Sequence, residues 1–271
     1  MKPDPMAVCE IIRTVAEREI LPRFQRLAAH EVSEKEQGDI VTIADERAEL
    51  ALEEALCALL PQAAVVGEEA ASREPQSMDV LSDDQPIWVI DPVDGTQNYA
   101  DGKPCFAVIV ALAQGGETWG GWIHEPIKNT TVWAWKGEGA FEGTERLAHK
   151  RPSALGDFRG SLSRRYRERI ERERWRSELR GTLPQEIVRY RCVGAEYADL
   201  ARSALQFARY GGRLKPWDHA AGVLIHAECG GFHAMIETGE PYRPGPTLKD
   251  HTLLLAPDRE SWDHLYELLG D

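Results

Sequence analysis

Apolar residues recur at Ile11, Ile12, Val15, Ile20 and Leu27 among polar neighbours, a spacing that predicts one helix over 6–29 with a single buried stripe. Residues 33–39 are polar and predict an irregular stretch. A second helix is expected from near Thr42, whose hydroxyl can cap the first N–H groups, through Leu60, where Pro61 stops it. A short apolar strand at 63–66 runs into Gly67-Glu68-Glu69, and 72–86, with Pro75 and Pro86, predicts a loop. The compact run Ile87-Trp88-Val89-Ile90, bounded by Asp91-Pro92, predicts a buried strand ending at a turn. Strands at 106–113, 119–124 and 131–135 follow at hairpin spacing, with Gly115-Gly116 as one turn.

The second half alternates. A strand is expected to end near 161–163, followed by a charged helix at 165–179, a strand at 186–190, a helix at 195–203 and a strand at 205–210. A helix at 218–229 closes on Gly230-Gly231, and a strand at 253–256 precedes a helix at 261–269. This alternation predicts an α/β layer added to the helix-and-antiparallel-sheet first half. No repeat or low-complexity linker divides the chain, so its halves, about 1–150 and 151–271, are expected to form one domain.

Composition adds exclusions. A chain of 271 residues can bury a core without disulfide or metal staples. Its net charge of -13 disfavours nucleic acid held on a basic surface, but not an anionic substrate, since a bound divalent cation reverses the local field. Five cysteines, none in a C-x-x-C spacing, predict reduced core thiols in a cytoplasmic protein, and the first ten residues lack a signal-peptide core. No stretch approaches 18 apolar residues, so no membrane span is expected.

Three segments place acids at the ends of predicted elements: Gly67-Glu68-Glu69, Asp91-Pro92-Val93-Asp94-Gly95-Thr96, and Trp217-Asp218. In the second, Pro92 stiffens the turn, Asp91 and Asp94 can face one point with the Val93 carbonyl between them, and Gly95 allows close backbone approach. Thr96 adds a hydroxyl and an N–H suited to a phosphate. Hard cations such as Mg²⁺ take such oxygen ligands. Taken singly, each segment also has an ordinary reading: a solvated loop, a turn, or an N-cap in the case of Asp218.

Together these residues resemble the inositol monophosphatase family, within the lithium-sensitive phosphatase superfamily that includes fructose-1,6-bisphosphatases. The resemblance lies in Gly67-Glu68-Glu69, in 88–99 and in Trp217-Asp218-His219-Ala220-Ala221-Gly222. It extends to 35–45, to the hairpin 137–141 and to Glu228-Cys229-Gly230-Gly231, where Cys stands for the family's Ala. It implies an αβαβα sandwich and hydrolysis of a small phosphate monoester by a metal-activated water. It also implies a homodimer with a small phosphorylated substrate as partner. Glu68, Asp91, the Val93 carbonyl, Asp94 and Asp218 would bind two or three Mg²⁺ ions. Glu68 and Thr96 would orient the water, Asp45 would accept a hydrogen bond from Thr96, and Gly95 and Thr96 would grip the phosphate, with Asp218 also near the substrate. Lys35 falls in the family's catalytic loop, although a solvated loop lysine reads equally well.

Seven residues before Asp218, where inositol-type members carry a Glu that contacts sugar hydroxyls, this chain has Gly211. Glu196 could supply the missing acceptor. Arg213 either points to solvent or faces the pocket, where its fork would suit a second anionic group. Four further possibilities stay open: bisphosphate nucleotidase, histidinol-phosphatase or fructose-1,6-bisphosphatase activity on the same site, or a regulatory protein-binding role. Residues 164–180, with eight Arg and four Glu, read as a solvated helix face or a partner-binding patch.

Overall fold

The computed structural model describes residues 2–36, 39–173, 183–184 and 186–270. Helix α1 (Pro5–Val15) is capped by Asp4, whose carboxylate accepts the Met6 N–H. It is shorter than the apolar periodicity suggested. The chain passes into a π-turn at Ala16–Ile20 and a 3-10 turn at Leu21–Arg23, where Pro22 has no N–H to offer. The polar segment expected to be irregular is a hairpin, β1 (Val32–Glu36) paired antiparallel with β2 (Asp39–Thr42). Thr42 then caps α2 (Ile43–Leu59) in a capping box with Asp45.

A seven-stranded sheet follows. Its strands are β3 (Ala64–Gly67), β4 (Ile87–Asp94), β5 (Ala107–Gln114), β6 (Glu117–Glu125), β7 (Thr130–Trp135), β8 (Gly139–Glu142) and β9 (Glu145–Leu147), in that order. Only β3–β4 is a parallel pair. The segment read as a loop at 72–86 instead holds the end of α3 (Glu68–Arg73) and a 3-10 helix at Pro75–Ser82. A short helix, α4 (Thr96–Ala100), follows β4.

The second sheet contains β10 (Arg159–Ser161), β11 (Glu186–Val188), β12 (Phe207–Leu214), β13 (Phe232–Met235) and β14 (Leu248–Ala256), in the order β11-β10-β12-β14-β13. Strand β13 had no counterpart in the sequence reading. Helices α5 (Arg164–Glu173), α6 (Val193–Ala201), α7 (Pro216–Glu228) and α8 (Arg259–Leu269) accompany it. The remainder of the charged helix expected at 165–179 lies outside the described residues.

Side-chain alternation on the strands builds the layers. Trp88 and Ile90 of β4 and Val108 and Val110 of β5 face α1 and α2, packing with Ile12, Leu52 and Leu56. Their neighbours Ile87, Val89, Ile109 and Ala111 face the opposite way, onto Tyr197 and Ala198 of α6 and Ala221 and Ile225 of α7. The same cluster takes Ala208, Leu253 and Leu255 from the second sheet, so the core joins both halves of the chain. On that sheet's far side Phe207, Leu254 and Ala256 pack against Ile170 of α5 and Leu265 of α8. The order of layers is αβαβα. Where the two apolar faces meet around α6 and α7, the polar ends of β3, β4 and α7 come together.

Candidate active site

Glu68 and Glu69 open α3 at the end of parallel strand β3. Their position depends on Glu49 of α2, which the sequence reading did not single out. Glu49 Oε2 accepts the Glu69 N–H at 2.8 Å and Oε1 accepts the Ala70 N–H at 2.8 Å, capping α3 from outside its own chain segment. Gly67 makes room for this, since a Cβ there would lie 2.4 Å from the Glu49 carboxylate. Lys35, on β1 and not in a loop, reaches Glu69 Oε1 at 2.6 Å and Glu68 Oε1 at 3.6 Å. Burial pushes the Glu69 carboxyl up to about 8, with Lys35 acting against it.

Asp91 and Asp94 sit at the end of β4, where the register with β5 slips between them. A bulge of this kind re-aims side chains. Asp91 Oδ1 accepts the Val93 N–H at 3.1 Å, a closed turn around Pro92. Asp94 ties β4 to α6: its Oδ2 accepts from Gly194 N–H at 2.6 Å and Cys192 Sγ at 3.0 Å, and its Oδ1 from Val193 N–H at 3.1 Å. Burial, then the charges of Glu68, Asp94 and Asp218, holds the Asp91 carboxyl well above the usual carboxylate range. Burial also raises Asp94, although its three donors work in the other direction.

Gly95 adopts φ +85°, and a Cβ there would press on Cys105 O and Cys192 Cβ, both at 3.1 Å, so no other residue fits without strain. Thr96 Oγ1 lies 2.9 Å from Val93 O and 3.1 Å from Asp45 Oδ1. Its single hydrogen serves one of these at a time. Burial lifts the Asp45 carboxyl to about 6, opposed by hydrogen bonds from Thr42 and Thr96.

Asp218 stands in the first turn of α7, but it is not the N-cap; Lys215 holds that position. Lys215 was absent from the sequence reading. Its Nζ lies 3.2 Å from Glu68 Oε1 and 5.6 Å from the ring centre of buried Trp217. Glu68, Asp91, Val93, Asp94, Gly95, Thr96 and Asp218 all line one cavity of about 200 Å³, together with Lys215 and Arg191. Asp45 stands behind it through Thr96.

The donors in this cavity, four carboxylates and a backbone carbonyl, are the hard oxygens that Mg²⁺ prefers. The raised Asp91 carboxyl marks like charges that a divalent cation would offset. Among the described residues, however, no three His, Cys, Asp or Glu side chains form a ready-made metal cluster. Here Lys35 and Lys215 hold Glu68. The chemistry of the donor set therefore fits the ion, and binding it requires Glu68 to exchange an ammonium partner for the metal.

A second cavity, of about 240 Å³, adjoins the first and shares Arg191 and Asp218 with it. Glu196 and Arg213 both line it. Glu196 is buried, with Oε1 accepting the Tyr190 N–H at 3.0 Å, and burial raises its carboxyl to about 6. Arg213 is exposed on β12, just past a register slip between Gly212 and Arg213.

A sequence model of the inositol monophosphatase family matches residues 4–270. An inositol-1-monophosphatase from Caulobacter vibrioides is 34% identical over 231 residues, covering 83% of this chain and 87% of its own length. The Nus factor SuhB of Escherichia coli is 31% identical over 235 residues, 82% of each chain. A solved IMPase from Thermotoga maritima, 24% identical, superposes with a TM-score of 0.77 over 96% of each chain and shares the fold.

Proposed function

The chain belongs to the inositol monophosphatase family, and from that premise we propose that it is a Mg²⁺-dependent hydrolase of small phosphate monoesters. The observation that carries this reading is the convergence of Glu68, Asp91, Asp94 and Asp218 on one cavity with Val93, Gly95 and Thr96. Glu68, Asp91, the Val93 carbonyl, Asp94 and Asp218 would hold two or three Mg²⁺ ions. Bound there, the ions would neutralise the phosphate and lower the pKa of a water.

The chain's own residues would do the positioning. The N–H groups of Gly95 and Thr96 would hold the phosphate oxygens. While Thr96 Oγ1 donates to Asp45 or Val93 O, its lone pairs remain to accept from the attacking water, and Glu68 would take that water's other hydrogen. Asp45 would orient Thr96 by accepting its hydroxyl hydrogen at Oδ1, 3.1 Å away. Since phosphoryl transfer is mainly positioning and charge stabilisation, no covalent intermediate is needed. A homodimer in the cytoplasm completes the proposal on family likeness, testable as a solution mass of twice 30.4 kDa.

Phosphate release from a panel of monoesters, with Mg²⁺ and with a chelator, tests this reading. Metal-dependent release, abolished by chelation, is expected; metal-independent release, or none on any ester, contradicts it. The likeness to a Nus factor favours a second reading, a protein-binding role. That role alone would leave the panel unhydrolysed.

A further inference from the structure

Beside the acidic cavity the charge reverses. Arg189, Arg191, Arg209 and Arg213 all line the adjoining cavity of about 240 Å³, in a protein whose net charge is -13. They arrive from two elements. Arg189 and Arg191 lie in the turn between β11 and α6, where Arg191 takes a left-handed φ of 57°. Arg209 and Arg213 flank Gly211 and Gly212 on β12, and the register slip after Gly212 re-aims the strand at Arg213.

Two acids share this lining, and each has other work. Asp218 belongs to the neighbouring acidic set. Glu196 is buried and bound to the Tyr190 N–H. Arg209 is fixed, with its guanidinium 3.9 Å from the Tyr166 ring centre and its Nε donating to Leu269 O at 3.2 Å. Arg189, Arg191 and Arg213 are exposed, with forks suited to planar or tetrahedral anions. Gly211 lines the cavity without a side chain, and a Cβ there would lie 3.2 Å from Arg209 Nη1.

We propose that this arginine-lined cavity binds a second anionic group, a phosphate or carboxylate, of the substrate whose phosphate ester lies over Asp91 and Asp94. The shared wall, Arg191 and Asp218, places the two groups on one small molecule. The proposal rests on the phosphatase reading and deepens it: the preferred substrate is a doubly anionic phosphomonoester, and a neutral polyol monophosphate is a poor one.

The test compares three substrates in Mg²⁺: a hexose monophosphate, the matching hexose bisphosphate and a phosphorylated hydroxy acid. The wild type should favour at least one doubly anionic substrate by about tenfold in kcat/KM, as one charge-assisted contact would give. Which of the two wins tells phosphate from carboxylate. In Arg213→Ala and Arg189→Ala that preference should shrink severalfold, chiefly through KM, with Arg213→Lys intermediate. Gly211→Glu, which sets a carboxylate beside Arg209, should shift preference toward the monophosphate. Equal kcat/KM for singly and doubly anionic substrates, or a preference that survives both alanine variants, overturns the proposal. If no substrate is hydrolysed, the phosphatase reading fails, and calorimetric binding of the hexose bisphosphate decides the subsite by itself. Binding weakened in Arg213→Ala supports it, while no binding, or equal binding in both proteins, refutes it.

Discussion

Asp91→Asn separates the metal role of the acidic cavity from its structural role. Asp91 is 2% exposed, and its Oδ1 already accepts the Val93 N–H at 3.1 Å, a bond that the Asn carbonyl oxygen can keep. The substitution therefore preserves shape and removes one of four like charges. Because the folded-state pKa of Asp91 is raised, the ionised side chain weakens the metal-free protein at neutral pH. The stability associated with this group is fully present below the unfolded carboxylate pKa, near 4, and is lost as pH rises through the folded value. Each unit of elevation corresponds to about 1.4 kcal/mol, so without metal the variant should melt at or above the wild-type temperature at pH 7. With metal the order reverses. Mg²⁺ at about 100 times its dissociation constant stabilises by about 2.7 kcal/mol per site. For a chain of this size about 1 kcal/mol moves Tm by about 2–4 °C, so wild type should gain about 5–10 °C from one such site. Asp91→Asn should lose most of that gain and at least about 100-fold in kcat, since the metal supplies several kcal/mol of transition-state stabilisation. Differential scanning fluorimetry with and without Mg²⁺, alongside phosphate release, reads both effects. A variant that melts well below wild type without metal, or one that keeps the full Mg²⁺ shift and rate, would refute the reasoning.

Gly67→Ala should drive the Glu49 carboxylate off the α3 N-terminus, since the new Cβ would lie 2.4 Å from it; about 1–3 kcal/mol of stability should go, with metal affinity weakened through Glu68. Denaturant unfolding and metal titration check this, and an unchanged midpoint with unchanged affinity counts against it. Burial holds the imidazole of His219, whose Nδ1 lies 3.1 Å from the Tyr197 hydroxyl, at about 3. Because its folded pKa is depressed, its contribution to stability is complete above about pH 6.5 and is lost as pH falls toward the folded value, by about 1.4 kcal/mol per unit. NMR should show His219 neutral at pH 5, and a midpoint near the usual imidazole value would contradict the burial argument.

The parts of the architecture written in local pattern were readable from the chain. The run Ile87–Ile90 gave β4 as a buried strand, and its unbroken apolar character fits the burial of both its faces, although which residue faces which layer came only from the structure. The αβαβα order followed from the resemblance together with the element sequence. The hairpin β1–β2 is polar along most of β1, and its apolar Ile40 and Val41 are adjacent in β2, so no apolar alternation marks it. The periodicity over 6–29 continues through Pro22, which the backbone cannot follow as an α-helix. At the site, Glu68, Asp91, Asp94 and Asp218 announced themselves by standing at element ends. Glu49 and Lys215 did not, because each acts across the fold: Glu49 meets an N–H twenty residues away and Lys215 an acid 147 residues away. A lysine directly before Pro216-Trp217-Asp218 was the one available signal for the second.

The most direct test of the account is to locate the metal. Crystals grown with Mn²⁺ in place of Mg²⁺ should show anomalous peaks in the cavity between Glu68, Asp91, Asp94 and Asp218, with carboxylate oxygens at about 2.0–2.3 Å and Lys215 drawn away from Glu68. The same peaks should vanish or weaken in Asp91→Asn. Cavity density that stays free of anomalous signal at saturating Mn²⁺, with Lys35 and Lys215 still paired to Glu68, would contradict it.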